Sequence, residues 1–154
     1  KGKKFVTCLP AYGAEVRGGT AHCTVVISDK EIGSPYVEKA DSLIIMNNPS
    51  LEKFKSRIKK KGLFIINSSL ADKYSARNNL MLQYPFTDMA IGLGNIKVAN
   101  MIALGVFVSH RKTVSLKNLS AAIAEIAPSE KKGLIEINRR ALEKGASLKM
   151  RGIS

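Results

Sequence analysis

Arg17 and the adjacent Gly18 and Gly19 sit in the stretch YGAEVRGGT, Tyr12 to Thr20, just ahead of a run that reads as a buried strand. Glycine takes positive φ without a Cβ clash, so successive amides can turn their N–H groups inward as an anion nest. A guanidinium beside them adds a planar fork that matches a phosphate or a carboxylate. Glu15, two residues before Arg17, would hold the guanidinium in place or be held by it. A tight connection with solvated charges accounts for the same residues, and on physics alone it is the simpler of the two readings. Asn47 in NNPS and Asn67 in NSSL follow apolar runs, where Asn and Ser commonly cap and turn the chain. Asn100 lies within an apolar helical pattern, where a buried amide needs partners; a satisfied core amide and a ligand contact both fit. GLGN, Gly92 to Asn95, hints at a phosphate loop but has Lys97 where a third glycine belongs. His22 and His110 have no acid–base companions, and no Ser/His/Asp order can be read, so no catalytic residue is assigned.

The setting for this chemistry follows from composition. The chain has 154 residues, enough for one domain with a real core, and 45% are apolar. Mean hydropathy is near zero. The longest apolar run, Met101 to Val108, is far short of the roughly 20 residues that span a bilayer. No signal peptide is visible, and Cys8 and Cys23 read as reduced, packed thiols of a cytoplasmic protein. Two cysteines cannot supply the four ligands of an iron–sulfur cluster or a structural zinc, so no metal site is expected. The net charge is +13, which calls for an acidic partner or a well-solvated surface. The basic residues gather at Lys53 to Lys61 and at Lys131 to Arg151, both read as helical. Few aromatics lie among them to stack bases, so nucleic acid is not expected.

The elements that would position these residues alternate. Lys4 to Leu9 and Ala21 to Ser28 read as strands, the second with Cys23, Val25 and Ile27 on one face. SLIIM (Ser42 to Met46) and LFII (Leu63 to Ile66) are unbroken apolar runs, as in parallel strands covered on both faces. Between them a helix is expected, capped by Ser50, with Leu51, Phe54 and Ile58 inward and Gly62 at its end. Strand, helix, strand implies a right-handed crossover. Ile96 to Val108 reads as a buried helix. Ser115 caps another, whose Leu116, Leu119, Ile123 and Ile126 repeat at helical spacing before Pro128 stops it. Ser129 opens a last one with Leu134, Ile137 and Ala141 inward, ending near Gly145. The fold class is therefore α/β: a Rossmann-like, mainly parallel sheet flanked by helices, with a helical C-terminal part, as a single domain over 1–154.

The segment LPAYGAEVRGGTAHCTVVIS, Leu9 to Ser28, resembles the signature of the gamma subunit, or gamma domain, of the 2-oxoacid:ferredoxin (acceptor) oxidoreductases. The resemblance continues through IGSPYVEKADSLIIMNNPSLEKF and GLFIINSSL into GNIKVANMIALG, which ends at Gly105. EVRGGTA at Glu15 to Ala21 is more similar to the 2-oxoglutarate branch than to the pyruvate branch, where an RRGAP-like segment is usual. Members usually begin with a strand, a GxGGQG-like loop and a helix; the chain as given starts at Lys1 and is expected to lack that glycine-rich unit.

The resemblance implies a subunit of an enzyme, inactive alone, that oxidatively decarboxylates a 2-oxoacid to an acyl-CoA. Thiamine diphosphate, Mg and iron–sulfur clusters would be held by alpha, beta and cluster-bearing delta partners, with ferredoxin or a similar acceptor taking the electrons. This chain would pack against those partners and help to bind coenzyme A. By position, Tyr12, Glu15, Arg17, Gly18, Gly19 and Thr20 are the first candidates for that role, with Asn47 and Asn100 after them. A pyruvate or branched-chain gamma subunit, a stand-alone Rossmann-type nucleotide-binding domain and a basic nucleic-acid module are the competing readings.

Overall fold

Leu63 to Ile66 form the centre of the fold, four apolar residues each 2% exposed or less. Alternation along a strand sends them to opposite faces. Leu63 and Ile65 join one apolar cluster, with Leu82, Tyr84, Phe86, Ile102 and Val106. Phe64 and Ile66 join another, with Ile45, Leu51, Phe54 and Met81. A strand buried on both faces needs helices on both, and that is the arrangement found.

The computed structural model describes residues 4–11, 20–126 and 132–148. The chain divides into two compact units, Lys1–Ala40 and Asp41–Ser154. The first contains β1 (Phe5–Ala11) and β2 (His22–Ser28), which pair antiparallel with Phe5 opposite Ser28 and Ala11 opposite His22. The predicted alternation in β2 holds, but its sense is informative. Cys23, Val25 and Ile27 are on the exposed face, whereas His22, Thr24, Val26 and Ser28 are half-buried.

The second unit holds a parallel sheet in the order β3 (Ala40–Ile45), β4 (Ile58–Asn67), β5 (Leu80–Tyr84), with Leu63 opposite Leu80 and Asn67 opposite Tyr84. Helices α1 (Asn48–Phe54), α2 (Phe86–Gly92), α3 (Ala99–Arg111), α4 (Leu116–Ile126) and α5 (Lys132–Ala146) complete it. A short 3-10 turn, Ile96–Val98, leads into α3. The mixed α/β architecture is thus the one expected from the sequence.

Helix α1 is shorter than its apolar spacing suggests. Its cap is Asn47, not Ser50: the Asn47 side chain accepts from the Ser50 amide at 3.0 Å. The helix stops at Phe54, and Ile58 to Gly62 already belong to β4, so Lys59, Lys60 and Lys61 lie on a strand. Their backbone is claimed by other elements. The Asn79 side chain donates to the Lys59 carbonyl, the Lys61 amide donates to the Asn78 carbonyl, and the Lys59 ammonium meets Asp41 at 2.8 Å. Lys61 takes a left-handed φ of 62° in this bend.

The helical half turns on a close approach. A Cβ at Gly105 of α3 would come 2.1 Å from the Leu142 carbonyl oxygen of α5, and one at Gly145 would come 1.9 Å from that of Ile102. Only glycine at both positions lets the backbones cross so tightly. Gly145 is therefore a crossing residue in the last turn of α5, which ends at Ala146, close to where the sequence placed its end. Ser115 does cap α4, accepting from the Asn118 amide at 3.1 Å. Ser129 lies outside the described residues.

Candidate functional site

The ends of β3 and β4 and the residues after β5 converge through one side chain. Asn67, the last residue of β4, is fully buried. Its amide nitrogen donates to the Met46 carbonyl at 3.0 Å and to the Thr87 hydroxyl at 2.9 Å. Its carbonyl oxygen accepts from the Thr87 amide at 3.3 Å and the Ser69 amide at 3.4 Å. A buried amide with both ends engaged is a rigid junction.

The turn after β4 also caps α2. Pro85, before α2, makes no side-chain cap. Ser69 supplies one across the edge, accepting from the Asp88 amide at 3.3 Å while its hydroxyl donates to the Asp88 carboxylate at 3.1 Å. The NSSL stretch thus works as a capping element, but for a helix one strand further on. Asn48 beside it donates to the Asp72 carboxylate at 2.8 Å and accepts from the Asp72 amide at 3.3 Å. The sequence pattern of Asn and Ser after an apolar run marked these residues as turns; only the pairing of β4 with β5 shows which helix they serve.

The named candidates separate into three groups. Tyr12, Glu15, Arg17, Gly18 and Gly19 lie outside the described residues. Thr20 is half-buried just ahead of β2. Asn47 and Asn100 belong to the second unit: Asn47 caps α1 after β3, and Asn100 is exposed on the first turn of α3. The expectation of a buried Asn100 amide is therefore corrected, because the apolar stripe of α3 runs through Ile102, Ala103 and Val106 and leaves residue 100 on the outer face. GLGN closes α2 and opens the next turn: Gly94 has φ 93°, and the Asn95 side chain accepts from the Lys97 amide at 3.0 Å. His110 is half-buried, with Nδ1 at 2.9 Å from the Val106 carbonyl.

The chemistry available at this edge is positioning and hydrogen bonding. Among the described residues, no group of three or more His, Cys, Asp or Glu is placed to hold a metal. Cys8 and Cys23 are the chain's two cysteines, too few for the four thiolates of a cluster. The donor set of this chain does not fit an iron–sulfur centre. No described helix is long and apolar enough to cross a membrane.

Residues 1–148 match the family described as pyruvate ferredoxin/flavodoxin oxidoreductase. The chain belongs to that family. It is 34% identical over 143 residues to the ketoisovalerate oxidoreductase subunit VorA of Methanothermobacter marburgensis, covering 93% of this chain and 30% of that protein. It thus spans under a third of that relative. It is also 34% identical over 138 residues to the 2-oxoglutarate synthase subunit KorC of Methanocaldococcus jannaschii, covering 88% of this chain and 72% of that one. Among solved structures, the keto/oxoacid ferredoxin oxidoreductase gamma subunit of Geobacter sulfurreducens superposes with a TM-score of 0.77 at 26% identity, over 92% of this chain and 78% of that one. The 2-oxoglutarate:ferredoxin oxidoreductase of Magnetococcus marinus, solved with 2-oxoglutarate, coenzyme A and succinyl-CoA, shares the fold: its TM-score is 0.82 at 20% identity, over 93% of this chain and 25% of that one. Members of the family named for two different 2-oxoacids are equally similar to this chain, so identity does not separate the branches.

Proposed function

We propose that the chain is the gamma part of a 2-oxoacid:ferredoxin oxidoreductase, and that it serves the oxidative decarboxylation of 2-oxoglutarate to succinyl-CoA by packing against its partners and helping to bind coenzyme A. The observation that carries this is the family match over 1–148, joined to the likeness of the Geobacter gamma subunit along nearly the whole chain. The 2-oxoglutarate reading is supported by the EVRGGTA segment and by the KorC relatives. The equal identity to VorA favours a branched-chain 2-oxoacid as the second reading.

Thiamine diphosphate and iron–sulfur clusters, held by partner chains, would supply the carbanion chemistry and the path for electrons. The work assigned to this chain is recognition. Arg17 would pair with a phosphate of coenzyme A while the amides of Gly18 and Gly19 face the same charge. Tyr12, Glu15 and Thr20 would frame that segment, and Asn47 and Asn100 are weaker candidates for contacts at the edge of the sheet. Support for coenzyme A comes from the basic charge of the chain and from the ligands of the Magnetococcus enzyme.

The test is co-purification from the native source through a tag on this chain, followed by dye reduction with 2-oxoglutarate, 2-oxoisovalerate and pyruvate as donors. Recovery of cluster-bearing partners with 2-oxoglutarate as the preferred donor is expected. A branched-chain donor preference would select the second reading. Recovery of the chain as a stable monomer without such partners would count against both.

A further inference from the structure

Strands β1 and β2 carry the chain's two cysteines on the same face. In their register Cys8 lies opposite Val25 and Cys23 opposite Pro10, so the two are diagonal neighbours. Diagonal positions of an antiparallel pair are about 7–8 Å apart at Cα, at the limit of what a disulfide can bridge. The right-handed twist of a two-stranded ribbon shortens one diagonal. Here the two Sγ atoms meet at 3.1 Å, and a shift of about 1 Å would bring them to bonding distance. Both thiols are exposed. Around them are Val6, Val25 and Ile27, which are exposed and apolar, and the other bond recorded for Cys23 is a 3.9 Å contact to the Thr24 carbonyl.

We propose that Cys8 and Cys23 form a reversible dithiol–disulfide site whose oxidant is a low-molecular-weight disulfide, and that closing it staples β1 to β2 on either side of segment 12–19. The hydrogen bond with Cys8 holds the Cys23 thiol above the ordinary thiol range, with burial and the charge of Cys8 adding to it. The exchange gives the same product from either sulfur and begins here at Cys8. Its thiolate attacks one sulfur of the small disulfide, that S–S bond breaks, and one small thiolate leaves. Cys23 then gives up its proton and attacks the mixed disulfide at Cys8, forming the Cys8–Cys23 bond and releasing the second small thiolate. Two protein thiols are oxidised, one small disulfide is reduced to two thiols, and the two protons end on those thiols. The site lies outside the proposed coenzyme A chemistry and stands independently of it.

The test uses the full chain in mixtures of oxidised and reduced glutathione, read by intact mass and by peptide mapping without reduction. With two cysteines in the sequence, each outcome has one assignment. The expected product is a monomer lighter by two hydrogens, with the Cys8 and Cys23 peptides joined and uptake of an alkylating reagent abolished. Amide exchange across Phe5–Ala11 and His22–Ser28 should slow on the order of tenfold or more. Cys8→Ser and Cys23→Ser, or the alanine variants if a serine variant fails to fold, should each take up one glutathione and lose the two-hydrogen product. Wild-type chain that yields only glutathione adducts or disulfide-linked dimers would overturn the proposal.

Discussion

Asn67 uses both ends of its amide to join three elements, and its replacement has a definite cost. In Asn67→Ala the Met46 carbonyl and the Thr87 and Ser69 amides lose their shared partner, a side chain that is itself fully buried. Leaving buried polar groups unmet typically costs about 1–3 kcal/mol, and here a loss of about 3 kcal/mol is expected as a lower urea midpoint. A change under about 0.5 kcal/mol, within the usual scatter of surface substitutions, would show that the junction is dispensable. A second effect at this scale concerns Cys23. Its thiol is held up chiefly by the bond to Cys8, so it keeps its proton at a pH where an ordinary thiol has begun to lose it. Alkylation of Cys23 by a neutral reagent should therefore lag behind a free thiol near pH 8 and catch up as the pH rises. In Cys8→Ala the hydrogen-bonding group is removed, and the lag should shrink. Equal rates in wild type and variant would refute the cause.

At the scale of elements, the crossing of α3 and α5 depends on two glycines that meet in space although they lie far apart in sequence. Gly105→Ala puts a methyl into the Leu142 carbonyl, and a backbone atom cannot swing aside as a side-chain tip can. Overpacking of this kind costs about 1–3 kcal/mol, and thermal unfolding should register it. Gly133 in α5 is the control, since a Cβ there meets nothing within 4 Å; Gly133→Ala should stabilise by about 0.5–1 kcal/mol through helix propensity. If the two substitutions behave alike, the close crossing is wrong. Lys112 ends α3 with a left-handed φ of 51°, so Lys112→Gly should be neutral or stabilising by up to about 1 kcal/mol. Local patterns made much of this legible. LFII announced a strand covered on both faces, and Ser115 announced its helix. What failed was the length of α1, because Leu51, Phe54 and Ile58 also fit a helix that turns into a strand. The deciding bonds come from Asn78 and Asn79, distant in sequence. The strand Leu80–Tyr84 and helix Phe86–Gly92 carried no cap or period clear enough to be read in advance, since Asn67 and Ser69 cap α2 from another element.

At the scale of the whole molecule, family membership says more than any single site. The chain is basic and is built on a parallel sheet with an apolar cluster on each face, and recognition within a larger assembly is the role proposed for it. The resemblance that began at Leu9 to Ser28 was legible as an ordered run of residue types, and the family match extends it over 1–148, with relatives about a third identical. The proposed coenzyme A segment was legible only as a pattern of residue types, and Tyr12 to Gly19 lie outside the described residues. The most direct measurement is steady-state dye reduction by the assembled enzyme as coenzyme A is varied, with wild-type chain, without it, and with Arg17→Ala. The expected result is no coenzyme A-dependent turnover without the chain. With Arg17→Ala, the complex should assemble and its KM for coenzyme A should rise about tenfold or more at little changed kcat. An assembled variant with an unchanged KM, or full turnover without the chain, would contradict the assignment.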